Sequence, residues 1–398
     1  MHETEIAVVN IIQYDVHNIK FADQIWLPYI FDHRPTSENK ANIKLINYLC
    51  NVCLLSDLYR RKIMKTIKHH GLKTAFIGLA ASMLLGAASL SHAQVTIKLG
   101  WTTADSKVDP YAIAAHYFAE ELESAAPGEF NVQFFPNHQL GNDTAMLQAM
   151  QFGTMGAGVI TGTQVGTLEP AFQLNDLPFL YANNQQAHKV LDGDVGKTLL
   201  SKLDAKGIVG LGFPEAGFRH TINNKRPIHT PADFNGVKLR VQPSDLFIAS
   251  FRAIGANPVP MAWSDVFTAV QQGTVDGLEI PLPVIYANKY PEVTKFLSLT
   301  SHTYNALALL MSKQTFDKLS ADNQALVRKA AQRAIQRQRE TVEANNDNVL
   351  EQIRAAGMKV NEVDSVDAFR SKVADVYDEY RDKIGADIVD AALKQVSE

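Results

Sequence analysis

Cysteine is nearly missing. The 398-residue chain has two, Cys50 and Cys53, and none beyond them. Two thiols cannot staple a small disulfide scaffold, and past residue 53 thiol catalysis is excluded. A strong charge bias is missing too: 38 Lys and Arg face 42 Asp and Glu, a formal net charge of −4. No basic cluster is large enough to follow a phosphate backbone, so no nucleic-acid partner is expected. With 46% hydrophobic and 20% charged residues the chain is neither disordered nor fibrous. Catalytic signatures are lacking as well: there is no G-x-S-x-G elbow, no P-loop and no G-x-G-x-x-G after a strand. Gly153, Gly156 and Gly158 cluster, but their spacing fits a turn packed on a sheet. His116, His138, His188, His220, His229 and His302 include no i,i+4 pair and no H-E-x-x-H, so neither a metal nor another cofactor is expected. Carboxylates are plentiful and none stands out as half of an acid–base pair. An enzyme acting on carboxylates is the weaker reading.

Long apolar runs are also scarce, and the one that exists is informative. Thr74–Leu90 is seventeen residues without a charge, preceded by Lys65, Lys68 and Lys73 and followed by Ser91-His92-Ala93. A positive flank, an apolar stretch and small residues at the −3 and −1 positions describe a secretory signal cleaved before Gln94. A membrane anchor is the competing reading, but the span is marginal for a ~30 Å core and rich in Ala, Gly and Ser. Met64 stands where such a signal should begin. Residues 1–63 are therefore expected to be an upstream extension from a misassigned start codon, and 64–93 the signal. The Cys50-Asn-Val-Cys53 motif would then lie outside the working protein. The alternative is a cytoplasmic extension with 74–90 crossing the membrane. Ten of the basic and seven of the acidic side chains precede Gln94, leaving 28 against 35 in the remaining 305 residues. An exported, cysteine-free, mildly acidic chain fits the bacterial periplasm, with no membrane insertion after cleavage.

Patterning beyond Gln94 predicts an α/β chain. Val95–Trp101, the alternating Phe130, Val132 and Phe134, and Met155–Thr161 read as strands; Pro110–Ser124 and a segment ending at Phe152 read as helices. This β-α-β-α-β opening implies a largely parallel sheet. A second block follows, with strands at Ile208–Phe213, Phe218–Asn223, Val237–Val241 and Gly277–Ile280. Ser244–Ile254 is predicted helical, and Ser264 is expected to cap a helix ending at Gly273. Past Asn305–Met311 the chain turns helical. Asp322–Ala356 is long enough, at ~1.5 Å per residue, to bridge two lobes, and helices near Val366–Ile384 and Ala386–Val396 close the chain. No linker separates the blocks, so several crossings between lobes are expected.

Arginine inside apolar strands is the chemical signal. Arg240 lies near the C-terminal end of Gly236-Val-Lys-Leu-Arg-Val241, where open α/β sheets bind ligands. Arg219 sits within Gly217-Phe-Arg-His-Thr221. A guanidinium there presents a planar fork to a carboxylate, either a ligand's or that of a structural Asp or Glu; spacing alone leaves both open.

Four segments in fixed order carry a resemblance: Phe135-Pro-Asn-His-Gln-Leu-Gly-Asn-Asp143, the Arg240 strand, Ile254-Gly-Ala-Asn-Pro-Val-Pro-Met-Ala-Trp-Ser-Asp-Val266, and Gly273-Thr-Val-Asp-Gly-Leu-Glu-Ile-Pro281. Together they closely resemble the solute-binding subunits of TRAP (tripartite ATP-independent periplasmic) transporters, in the dicarboxylate-binding-protein branch, across Gln94–Glu398. The resemblance implies a two-lobed, type II-like periplasmic binding protein with mixed, mostly parallel sheets and a long helix bridging the lobes. Lobe one is expected at 94–216 plus 305–344, lobe two at 217–304 plus 345–398. It implies an organic acid as ligand and the small and large membrane permease subunits as partners, driven by an ion gradient. By the same matching Arg240 clamps the carboxylate, Arg219 supports it, and Thr102, Thr161, Trp263 and Ile280 line the pocket. Helix–sheet packing is the competing role for Trp263. Sialic-acid-type members carry Asn at the position of Ile280 and Glu at that of Thr161, so a glycerol-tailed sugar acid of that kind is not expected. An apolar wall at Ile280 and Trp263, with hydroxyls at Thr102, Thr103 and Thr161, suits a small hydroxy- or oxo-acid, an acid with an apolar or aromatic tail, or another sugar acid. Receptors of ATP-driven importers and of sensor systems are the rival classes.

Overall fold

The computed structural model describes residues 94–397; the expected extension and signal, 1–93, lie outside the described residues. The chain begins with β1 (Val95–Gly100), α1 (Pro110–Ala125), β2 (Phe130–Phe135), α2 (Asp143–Gln151) and β3 (Ala157–Thr161), followed by the short α3 (Gly162–Val165). A 3₁₀ turn at Pro170–Asp176, then α4 (Asn184–Asp192) and α5 (Asp194–Lys202), fill a stretch with no strong sequence period. The second block comprises β4 (Ile208–Gly212), β5 (Glu215–Asn223), β6 (Lys238–Val241), α6 (Asp245–Ala253), β7 (Asn257–Pro260) and α7 (Trp263–Gln271). It continues through β8 (Gly277–Pro281), α8 (Leu282–Ala287) and β9 (Phe296–Leu299) to β10 (Tyr304–Ser312). α9 (Lys313–Phe316), the 35-residue α10 (Ala321–Ala355), β11 (Lys359–Glu362) and α11 to α13 (Val366–Lys372, Ala374–Ile384, Ala386–Ser397) complete it.

Hydrogen bonding joins the strands in the order β2-β1-β3-β10-β5-β8-β6-β7, with β4 on β10 and β9 between β5 and β11. Parallel pairing holds toward the ends of this path, at β2–β1–β3 and β8–β6–β7. The middle is antiparallel, because β10 runs against β3, β4 and β5, and β5 against β8 and β9. The architecture is thus a mixed α/β sheet in two lobes. β5 and β10 make the crossings between the β1–β3 half and the β6–β8 half, and β10 shifts register at Asn305/Ala306 and Leu309/Leu310.

Period-2 alternation explains why both faces of the sheet are covered. Along β10, Leu307, Leu309 and Met311 join one apolar cluster with Phe118 of α1 and Ala331 of α10. Ala306, Ala308 and Leu310 join the other, with Met146 of α2 and Leu199 of α5. α10 starts at the Ser320 cap, whose hydroxyl accepts from Asn323 N at 3.1 Å. Its buried stripe runs from Val327 to Ile353 and packs on α1, α8, β4 and β5, so it bridges both halves.

Two expectations need correction. Ser264 does not cap α7: the helix begins at Trp263 behind Ala262, and the Ser264 hydroxyl donates to Asp265 at 3.2 Å within the first turn. Val366–Ile384 is not one helix but α11 and α12, broken at Val373, because the two pieces pack on different neighbours. Phe369 of α11 meets Phe234 edge-on, whereas α12 lies on the 170–176 turn and α6.

Candidate functional site

The C-terminal ends of β1, β3, β6 and β8 converge on a cavity of ≈ 120 Å³, as expected for ligand sites of open α/β sheets. All six residues singled out in the sequence lie on its wall. Thr102, Thr161, Arg219, Arg240 and Ile280 are buried, and Trp263, the first residue of α7, is half-buried. The Phe135–Asp143 segment reaches the wall through a turn that needs Gly141 at φ +99; a Cβ there would stand 2.8 Å from the Ala145 Cβ. That turn lets Asn142 cap α2, accepting from Ala145 N at 2.9 Å, and places Asp143 at the cavity.

The two arginines have different partners. Arg219 is paired: Nε donates to Glu279 Oε2, and Nη2 donates to Glu279 Oε1 at 2.9 Å and to the Glu279 carbonyl at 2.6 Å. His302 Nε2 completes the group at 3.2 Å from Glu279 Oε2. Because a carboxylate only accepts, Nε2 carries the proton, and Nδ1 accepts from Thr300 Oγ1 at 2.8 Å. Burial opposes ionisation of Glu279, but the Arg219 charge and the His302 bond outweigh it and hold the carboxyl below its usual range. Burial also lowers the His302 pKa, which keeps the ring neutral.

Arg240 has no such counter-ion. At 2% exposure its Nε and Nη2 both donate to the Met261 carbonyl, at 3.0 and 2.7 Å, and no carboxylate among the described residues pairs with it. This explains the Asn257–Trp263 motif: the chain after β7 supplies the carbonyl that aims the guanidinium, and the Trp263 ring lies 5.9 Å from Arg240 Cζ. Trp263 also packs on Tyr290 at 5.7 Å, so it serves both wall and core. Burial lowers the Arg240 pKa to about 10, which still leaves the group fully charged at neutral pH.

Of the wall residues that the sequence did not single out, Asp143 and Asn305 carry polar atoms without partners. Asp143 Oδ1 is buried without a hydrogen-bond partner, and burial raises its pKa to about 6. Asn305 Nδ2 is likewise buried and unpartnered, while its Oδ1 accepts from Thr161 Oγ1 at 3.1 Å. A polar residue opening the otherwise apolar β10 was the available signal for Asn305. Asp143 was hidden because Asn-Asp after glycine reads as a helix start. The cavity therefore presents a guanidinium with no directly paired carboxylate, an acceptor and a donor. Nothing in this set is arranged as nucleophile and base, and among the described residues no three His, Cys, Asp or Glu side chains could share a metal.

A two-lobed α/β chain with a cavity at strand C-termini, lined by both apolar and hydrogen-bonding side chains, defines a ligand-capturing protein. The model of the bacterial extracellular solute-binding protein family 7 matches residues 102–383. The 2,3-diketo-L-gulonate-binding periplasmic protein of Escherichia coli is 35% identical over 289 residues, 73% of this chain and 88% of its own. A TRAP periplasmic solute-binding protein from Polaromonas, solved with D-erythronate, superposes with a TM-score of 0.73 at 36% identity, covering 75% of this chain and 98% of its own. The sugar-acid-binding protein of Advenella mimigardefordensis, solved with galactonate, gives 0.74 at 34%, covering 76% and 98%. The chain belongs to family 7, the DctP-type solute-binding subunits of TRAP transporters, which are binding proteins and not enzymes. Among the described residues no helix is long and apolar enough to cross a membrane.

Proposed function

We propose that this chain captures an organic acid anion in the periplasm and hands it to the small and large TRAP permease subunits for ion-gradient-driven uptake. The observation that carries the reading is Arg240: a buried guanidinium whose only direct partner is the Met261 carbonyl is costly unless an anion completes it. A ligand carboxylate supplies that anion and takes the donors that Met261 leaves free. Thr102 and Thr161 flank it with hydroxyls, Ile280 and Trp263 shape the apolar wall, and Arg219, held by Glu279, supports the positive field. The relatives solved with D-erythronate and galactonate, and the one named for 2,3-diketo-L-gulonate, favour a hydroxy-, oxo- or sugar acid. Asp143 and Asn305 favour the same class, because their uncommitted acceptor and donor suit hydroxyls along the carbon chain. Segments 94–216 plus 305–344 and 217–304 plus 345–398 are the lobes that close on the ligand, and residues 64–93 export the chain with cleavage after Ala93.

A thermal-shift screen of ligand-stripped protein against hydroxy-, oxo-, sugar and aromatic acids, dicarboxylates, neutral sugars and amino acids tests the reading. Ligand at 100 times Kd adds ~2.7 kcal/mol of stability, a shift of a few degrees. Arg240→Ala is expected to weaken calorimetric affinity by at least ~2 kcal/mol, about thirtyfold, and Arg240→Lys to bind poorly, because an ammonium cannot form the fork. A response to a neutral sugar or an amino acid, with none to any carboxylate, refutes the proposal.

A further inference from the structure

Asn288 stands outside the cavity wall, at the C-terminal cap of α8, yet its amide joins segments far apart in the chain. Its Oδ1 accepts from Ala104 N at 3.1 Å, and its Nδ2 donates to Asp109 Oδ2 at 3.3 Å and to the Val284 carbonyl at 3.0 Å. Ala104 and Asp109 belong to the loop between β1 and α1, whereas α8 follows β8, so the contact crosses from one half of the sheet to the other. Asp109 is fully buried. Its other oxygen accepts from Thr103 Oγ1 at 2.7 Å and from Tyr111 N and Ala112 N at 3.0 and 3.3 Å, as the N-cap of α1. Thr103 and Tyr111 line the cavity on one side, and Val284, one turn before Asn288, lines it on the other.

We infer that Asn288 is a closure latch, a positioning residue that sets how long ligand is held without touching it. The inference rests on the proposed closing of the lobes. A primary amide offers one acceptor and one donor side by side, which matches a backbone N–H next to a carboxylate. When the halves part, the Ala104 N–H and the Asp109 Oδ2 lose their partner together, so the contact is made only in the closed arrangement. The other polar crossings near the cavity, Gln242 Nε2 to Thr163 Oγ1 at 3.1 Å and Gln164 Nε2 to the Pro243 carbonyl at 3.5 Å, involve residues on the wall itself. Asn288 is thus a crossing beside the cavity that does not itself touch the ligand space.

The test uses the full chain with Cys50 and Cys53 changed to serine and spin labels at Glu123→Cys on α1 and Asp265→Cys on α7. Inter-label distances are read without ligand and with D-erythronate as probe. Asn288→Ala is expected to lengthen or broaden the distance distribution, to speed D-erythronate release about tenfold with an unchanged on-rate, and to leave the ligand-free melting temperature unmoved. Measured at pH 8.5, where Asp109 has lost its proton, Asn288→Asp keeps the size but turns an acceptor toward the Asp109 carboxylate, and should act the same way. Distances unchanged by both variants overturn the latch, as does a fall in ligand-free melting temperature without a change in distance. A distance change in a protein that ignores every carboxylate would uphold the latch and sink the ligand assignment instead.

Discussion

Arg219 and Arg240 show how one residue type takes different partners according to what faces it. In β5 and β8 the antiparallel register sets Thr221 opposite Glu279 and Arg219 opposite Pro281, so Glu279 lies diagonally beside Arg219 on one face. Removing the carboxylate charge alone strands a buried guanidinium. Glu279→Gln is expected to cost about 3–5 kcal/mol in urea unfolding, whereas the apolar double variant Arg219→Met/Glu279→Leu should recover most of it. Equal losses in the single and double variants would show that the pair is not acting as a unit. The sequence made both arginines visible as guanidinium groups in apolar strands, but it left the choice between ligand and ion pair open. That choice depends on a partner 60 residues away, brought alongside only by strand register.

Elements with a sustained period were the legible ones. α10 was anticipated almost to its ends, because Val327, Ala331, Ala334, Ile335 and Val342 repeat at helical spacing over many turns. The stretch between β3 and β4 was not anticipated, since α4 and α5 are nine residues each and take their shape from packing on neighbours. Two polar residues, Gln338 and Arg339, interrupt the α10 stripe, and the first is the deeper. Gln338 is fully buried; its Oε1 accepts from Glu215 N at 3.0 Å, and its Nε2 donates to the carbonyls of Glu215 and Pro110 at 2.6 and 3.1 Å. It fastens the bridging helix to the start of β5 and to the first turn of α1. Gln338→Leu fits the volume but leaves those backbone groups unsatisfied, a loss of about 3 kcal/mol and several degrees in Tm. A variant as stable as the parent in chemical denaturation would mean that water replaces the amide.

Across the whole molecule, buried carboxyls give stability a pH dependence that the net charge does not reveal. Burial raises Asp109 and Asp176 to about 7, so the folded protein keeps protons that the unfolded chain releases near pH 4. Their stabilising contribution is complete below that range and is lost as pH rises through about 7. His220, which burial lowers to about 3, acts in the opposite sense, its contribution being complete above about 6.5 and lost on acidification. Between pH 6.5 and 8 the two carboxyls therefore dominate among these groups. The melting temperature is expected to fall by a few degrees across that interval, and Asp176→Asn should flatten the slope. A melting temperature that climbs from pH 6.5 to 8 would contradict this assignment.

The position of β10 also governs the order of assembly. This strand lies between β3 and the β4–β5 edge, yet 144 residues separate Thr161 from its partner Asn305. A chain emerging from its N-terminus leaves the β3 edge bare until residues 304–312 arrive, and the face later covered by α10 stays open longer still. Neither half can complete its sheet from a contiguous early fragment. A truncation before residue 304 is thus expected to yield an aggregation-prone, protease-sensitive chain rather than a stable half.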